Sequence, residues 1–284
     1  MGETGICRVA AVQMTSTPEV GENLLVARRL LADAARDGAR LVVLPENFAC
    51  MSRAESDRLA AAEHLDDGPI QSFLAECAVE YSLYIVGGTV PILVTGEEKH
   101  PTQTCVLYSD EGSRVAYYDK VHLFDVTVAG GKGRESYRES DYTTPGTRIV
   151  VADTPAGCLG LAVCYDLRFP EFFRSLLDGG MQVAALPSAF TDTTGRAHWE
   201  VLLRARAVEN QIWIIAAAQE GRHSNGRRTF GRSMIVDPWG TIVSRLDEGV
   251  GIAVADIDLD QQARIREDFP SLQHRRTPFS EQDK

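Results

Sequence analysis

The sequence predicts a layered α/β fold in which two mixed β-sheets pack together and helices cover their outer faces. Three observations predict it. Apolar runs that read as strands alternate with stretches that read as helices, hairpin signals interrupt that alternation, and several strand-like runs are apolar on both faces. Ile212-Trp213-Ile214-Ile215-Ala216-Ala217-Ala218 is the plainest of these, and a strand with no polar face must lie between two layers.

The elements follow in order. Cys7 to Gln13 reads as the first strand. Thr17-Pro18-Glu19 reads as N-cap, N1 proline and first-turn acid of a helix running from Asn23 to Asp37 and stopped by Gly38. A strand at 41–44 follows, then a helix from Asp67-Gly68-Pro69-Ile70 to Tyr81 and a buried strand from Tyr84 to Val90. Thr104 to Ser109 and Ser113 to Tyr118 flank Asp110-Glu111-Gly112, which suits an antiparallel hairpin. Beyond it, Phe172 to Leu177, Arg196 to Asn210 and Asp260 to Asp268 read as helices. Val183 to Leu186, Ile212 to Ala217, Ser233 to Val236, Thr241 to Arg245 and Ile252 to Ile257 read as strands. No Ser/Gly/Pro-rich linker or fixed-period repeat divides the 284 residues, so residues 1–284 are expected to form a single domain.

Composition narrows the function classes. A net charge of −11 disfavours nucleic acid or an anionic membrane as partner. No apolar run reaches transmembrane length, and the first strand begins too early to leave room for a signal peptide, so the expected location is cytoplasmic. The cysteines at 7, 50, 77, 105, 158 and 164 form no CxxC pair and the histidines no HxxxH. Neither a disulfide framework nor a zinc site is therefore expected.

Three residues carry the chemistry. Glu46 ends Leu41-Val42-Val43-Leu44-Pro45-Glu46, Lys120 ends Val115-Ala116-Tyr117-Tyr118-Asp119-Lys120, and Cys164 ends Gly160-Leu161-Ala162-Val163-Cys164. Groups at strand ends meet on one rim of such folds. Amide hydrolysis needs a nucleophile, a proton carrier and a group facing the oxyanion. Cys164, Glu46 and Lys120 supply one each, with the Lys120 ammonium expected to favour the Cys164 thiolate. Pro170 and Glu171 suit the first turn of a helix, which leaves the Tyr165 backbone N–H to share the oxyanion. Singly, each residue has a plainer reading: core packing for the cysteine, a loop cap for the glutamate, a solvated surface for the lysine.

The surrounding words make the triple informative. Pro45-Glu46-Asn47-Phe48, Tyr118-Asp119-Lys120-Val121-His122-Leu123-Phe124-Asp125 and Cys164-Tyr165-Asp166-Leu167-Arg168-Phe169-Pro170-Glu171 resemble the three catalytic motifs of the nitrilase (carbon-nitrogen hydrolase) superfamily, in order. The resemblance extends through Gly231-Arg232-Ser233-Met234-Ile235-Val236-Asp237-Pro238-Trp239-Gly240 to Phe269-Pro270-Ser271-Leu272-Gln273-His274-Arg275-Arg276. It implies a four-layer αββα sandwich with two mixed sheets, a cofactor-free Glu-Lys-Cys site, and a homodimer or higher even homo-oligomer with residues 259–284 at the interface. The motif words are most similar to the Nit branch. That branch implies a small-molecule linear amide bearing a carboxylate, cleaved through a Cys164 thioester with release of ammonia. Deaminated glutathione is the first expectation and an omega-amide of a 2-oxo acid the second; a carbamoylase or nitrilase would use the same triad.

By the same resemblance a second glutamate assists the lysine. Glu139 in Tyr137-Arg138-Glu139-Ser140 matches best, with Glu135 competing because Gly130-Gly131-Lys132-Gly133-Arg134-Glu135 lengthens the gap from Lys120. That glycine cluster lacks the ending of a phosphate loop and is expected to be a flexible loop over the pocket. The resemblance also implies substrate contacts at Tyr165, Arg168, Phe190 and Thr194, with Arg168 offering a bidentate carboxylate clamp. His122 and His198 read as structural histidines, and Trp199, Trp213 and Trp239 as packing residues.

Overall fold

The structure is a computed structural model that describes residues 5–130 and 133–276. In chain order the strands are β1 Ile6–Met14, β2 Leu41–Val43, β3 Tyr84–Val86, β4 Val90–Val94, β5 Glu97–Tyr108, β6 Arg114–Asp119, β7 Asp125–Gly130 and β8 Gly133–Arg138, then β9 Val151–Thr154, β10 Gly157–Leu161, β11 Val183–Ser188, β12 Trp213–Arg222, β13 Arg228–Phe230, β14 Met234–Val236, β15 Ile242–Arg245 and β16 Gly251–Asp258. The helices are α1 Val20–Arg36, α2 Glu55–Ala60, α3 Pro69–Tyr81, α4 Pro170–Asp178, α5 Asp192–Thr194, α6 Glu200–Asn210 and α7 Leu259–Asp268.

Period-2 alternation builds the layers. On β1, Ala10, Val12 and Met14 join one apolar cluster with α1 residues Leu30 and Leu31 and α3 residues Phe73 and Leu74. Cys7, Val9 and Ala11 point the other way, into a cluster shared with β10 to β12 and with Phe173 of α4 and Leu203 of α6. The order is therefore helix, sheet, sheet, helix, as expected, because successive strand side chains face opposite sides. Burying a side chain of Leu or Phe size in such a cluster stabilises the fold by about 1.5–3 kcal/mol.

Hydrogen bonding adds something the pattern did not contain. The first half runs β16-β1-β2-β3-β5-β6 and the second β9-β10-β11-β12-β14-β15. The halves join where Gln13 and Met14 of β1 pair in parallel with Ala218 and Gln219 of β12. Among the described residues the two sheets are thus one curled, fourteen-stranded sheet folded on itself.

Most expected elements form close to their expected places; the exceptions have local causes. Helix α1 starts at Val20, not beside Thr17. Thr17 Oγ1 accepts from Glu19 N–H at 3.1 Å, and the Asn23 side chain takes Thr17 N–H at 2.8 Å and gives to Thr17 and Ala49 carbonyls. The turn before the helix is thereby held by a side chain from inside it. Helix α2 and the β7–β8 hairpin were not anticipated. The hairpin replaces the expected flexible loop, since Asp125 to Gly130 pair with Gly133 to Arg138; Gly131 and Lys132 lie outside the described residues. Pro69 and Pro170 both open their helices at the first turn, as expected. The expected extension at 259–284 is described as far as 276. There α7 is bound to the body by Gln262 Nε2 to the Gln182 and Gln211 carbonyls, and Arg275 pairs with Asp178.

Candidate active site

Strands β1, β2 and β3 are mutually parallel, as are β10, β11 and β12, and β1 is parallel to β12. β6 runs antiparallel to β5, which runs antiparallel to β3, so its C-terminal end reaches the same rim. Glu46 follows β2, Lys120 follows β6 and Cys164 follows β10. The three expected residues are consequently brought together, all buried, at 3%, 1% and 6% exposure.

Lys120 Nζ donates to Glu46 Oε1 at 2.9 Å and to both Glu139 oxygens at 3.1 and 2.9 Å. Glu139 also accepts the Phe124 N–H at 2.7 Å. Geometry decides between the two candidate glutamates. Glu135 is exposed on β8 and accepts from Tyr137 Oη at 2.8 Å, whereas Glu139 holds the ammonium. Burial would by itself push the Lys120 pKa down, but the charges of Glu139 and then Glu46 outweigh it and hold the ammonium protonated well above its ordinary range.

Lys120 pulls the Cys164 pKa down, in the expected direction, but other influences outweigh it. Burial first, then the facing Glu46 carboxylate, raise the Cys164 pKa well above its ordinary value, and the opposing pulls of Lys120 and the Ala189 backbone do not cancel them. Burial and Glu46 therefore disfavour the Cys164 thiolate. Desolvation penalises an anion there more than one shared ammonium relieves it.

A sharp elbow presents the sulfur. Cys164 has φ +47°, a left-handed conformation that a non-glycine residue holds only when its surroundings enforce it. Asp166 enforces it. Fully buried, its carboxylate accepts Val163 N–H at 2.8 Å and Tyr118 Oη at 2.8 Å, with His122 N–H at 3.2 Å and His122 Nδ1 at 2.6 Å on the other oxygen. His122 stacks on Phe169 at 3.7 Å between ring centroids, in keeping with a structural role. Sequence reasoning quoted Asp166 only as part of a motif. Its signal was the acid two residues past the nucleophile.

These groups line a cavity of about 630 Å³ with Tyr165, Arg168, Phe190 and Thr194, so every expected substrate contact reaches it. Arg168 lies over the rings of Phe190 and Tyr165 at 5.1 and 5.6 Å, with Nη1 3.1 Å from His198 Nδ1. Phe190 packs on Trp199 at 4.9 Å. Trp199 and Trp213 are core residues, but Trp239 is 62% exposed and corrects the packing expectation: its turn places it outside α6, against Phe269 at 6.0 Å. Sequence reasoning quoted Asn47 only as part of a motif and missed Arg58 and Gln103, which no local pattern marked; all three line the cavity.

The family model described as carbon-nitrogen hydrolase matches residues 8–267. The chain is 45% identical over 273 residues to the deaminated glutathione amidase of Mus musculus, covering 94% of this chain and 83% of that protein. The crystal structure of Saccharomyces cerevisiae Nit3, a member of branch 10 of the nitrilase superfamily, matches with TM-score 0.85 at 30% identity over 96% of this chain and 97% of its own. An amidase from Nesterenkonia sp. AN1 with acrylamide added to its active site cysteine matches with TM-score 0.76 at 27% identity, over 94% and 99% of the two chains.

Proposed function

Because the chain belongs to the carbon-nitrogen hydrolase family and is thereby an enzyme for C–N bonds other than peptide bonds, we propose that it is a thiol amidohydrolase whose substrate is deaminated glutathione. The observation that carries this reading is the set of thiol, carboxylate and ammonium at one cavity floor in a chain 45% identical to an amidase of that name.

Glu46 takes the proton from Cys164 as Sγ attacks the amide carbon. Lys120 and the Tyr165 N–H face the oxyanion, and Glu139 keeps Lys120 in place and protonated. Glu46 then returns its proton to the leaving nitrogen, the C–N bond breaks, and a thioester remains. Water, deprotonated by Glu46, attacks the thioester; Cys164 regains its proton and the acid departs. The leaving group follows from the substrate. Deaminated glutathione carries no primary amide, so its non-peptide amide yields 2-oxoglutarate and cysteinylglycine, whereas an omega-amide yields ammonia. Arg168, Phe190 and Thr194 hold the acyl part.

Turnover is tested by following both products from deaminated glutathione with wild type and Cys164→Ala. Products from wild type and none from the variant are expected; equal turnover by both would sink the mechanism, and none by wild type would sink the substrate.

The same proposal covers location and assembly. Six free cysteines suit the reducing cytoplasm, and no described helix is long and apolar enough to cross a membrane. One domain, residues 1–284, forms a homodimer or larger even oligomer. Val201 and Val208 of α6, with Trp239 and Phe269, support an interface there, being between 49% and 62% exposed.

A further inference from the structure

Two buried side chains lining the cavity, Arg58 and Gln103, carry polar atoms without a hydrogen-bond partner. Arg58, on α2, is 7% exposed, and its Nε and Nη2 lack hydrogen-bond partners. Its guanidinium lies over the Tyr142 ring at 5.0 Å. Burial lowers its pKa, while Glu139 and, less, Glu46 act on it through space. Gln103 is 4% exposed; its Nε2 donates to Asn47 Oδ1 at 2.8 Å, and its Oε1 has no partner. A buried cation without an ion pair is costly to keep, and a ligand carboxylate would relieve that cost with charge-assisted hydrogen bonds.

Their place on the wall says which part of a substrate they meet. Asn47 is the residue after Glu46, and the Gln103 carbonyl accepts Lys120 N–H at 2.9 Å, so Gln103 flanks the proton carrier, and Arg58 lines the same cavity beside Tyr142. In the proposed reaction Glu46 must reach the departing nitrogen, which puts the leaving group along this wall. Arg168 belongs to another wall, with Phe190 and Tyr165.

We infer that Arg58 and Gln103 form a leaving-group subsite, in which Arg58 binds the terminal carboxylate of a dipeptide-length amine and Gln103 Oε1 accepts an N–H from its backbone. An extended dipeptide spans about 7 Å and offers those two groups in that order. The inference rests on the amidase reading above and deepens it. The subsite favours amides of carboxylate-bearing peptides over primary amides, whose ammonia leaving group meets neither side chain.

The test compares kcat/KM for deaminated glutathione, for the same molecule with its glycine carboxylate converted to carboxamide, and for 2-oxoglutaramate. In wild type the carboxylate form is expected to exceed its carboxamide by at least about 30-fold, the loss typical of unpairing one partner of a buried charge pair. In Arg58→Gln that ratio is expected to fall toward one, and the preference for deaminated glutathione over 2-oxoglutaramate is expected to fall with it. A wild-type ratio near one would overturn the subsite without need of any variant, and so would a large ratio that survives Arg58→Gln. Absence of turnover of both glutathione forms by wild type would overturn the substrate reading and this inference together, while turnover with unaltered ratios would overturn this inference alone.

Discussion

Charge at the cavity floor centres on Lys120, which binds Glu46 and Glu139 together. Two carboxylates within 3.1 Å of one ammonium raise the Lys120 pKa, and burial followed by Glu46 raises that of Cys164. Glu46→Gln removes the proton carrier but preserves shape; kcat is expected to fall by about 10²–10⁴ in steady-state assays. A fall of less than tenfold would mean that another base serves. Glu139→Gln removes one charge from Lys120 without touching the reacting atoms, so its smaller loss in kcat should come with a lowered alkaline limb in the kcat pH profile. Sequence words identified these residues, because residue type and strand-end position are local properties. They ranked Glu139 above Glu135 but left Glu135 as a competitor, because the outcome depends on how far the hairpin carries each one.

Secondary elements deliver those groups through a small number of close approaches. Gly146 donates its N–H to the Lys120 carbonyl, and a Cβ there would lie 2.1 Å from the Asp119 carbonyl oxygen. Gly146→Ala must therefore push back the strand end that carries Lys120. It is expected to cost roughly 1–3 kcal/mol by urea denaturation and to reduce kcat more than stability alone explains. The elbow at Cys164 depends likewise on Asp166. Asp166→Asn keeps one accepting oxygen but sets an NH2 against the donors that faced the other, with an expected cost of about 1–3 kcal/mol and a fall in the rate of cysteine acylation. An unchanged melting curve would show that the elbow holds without Asp166. Helix starts at Pro69 and Pro170 were legible because proline acts on its own dihedral. Helix α2 and the β7–β8 hairpin were not, being short and supported by the cavity they enclose.

Across the whole molecule, unpaired thiols set the response to alkali. Burial raises Cys50 and Cys77 from about 9 to about 11. Such groups bind their protons more tightly folded than unfolded, so their contribution to stability is complete below pH 9 and disappears as pH rises through 11. The urea midpoint is expected to fall across that window, and to fall less in a Cys50→Ser/Cys77→Ser variant; a flat midpoint would contradict the burial argument. Assembly is tested at the same scale. Trp239→Asp is expected to shift sedimentation toward the monomer, and a monomeric wild type at micromolar concentration would remove the proposed interface.

By itself the sequence determined the fold class, the order of nearly all elements and the three residues proposed as nucleophile, base and ammonium, since periodicity, helix caps and residue chemistry act within a few residues. The tertiary structure alone decided that two sheets are joined through β1 and β12, that burial and Glu46 raise the Cys164 pKa, and that Arg58 Nε and Nη2 and Gln103 Oε1 have no hydrogen-bond partner; it also sets Glu139, not its competitor Glu135, on Lys120. Those outcomes depend on which distant groups meet and how much water is left between them, and both are set only when the sheets close over the site.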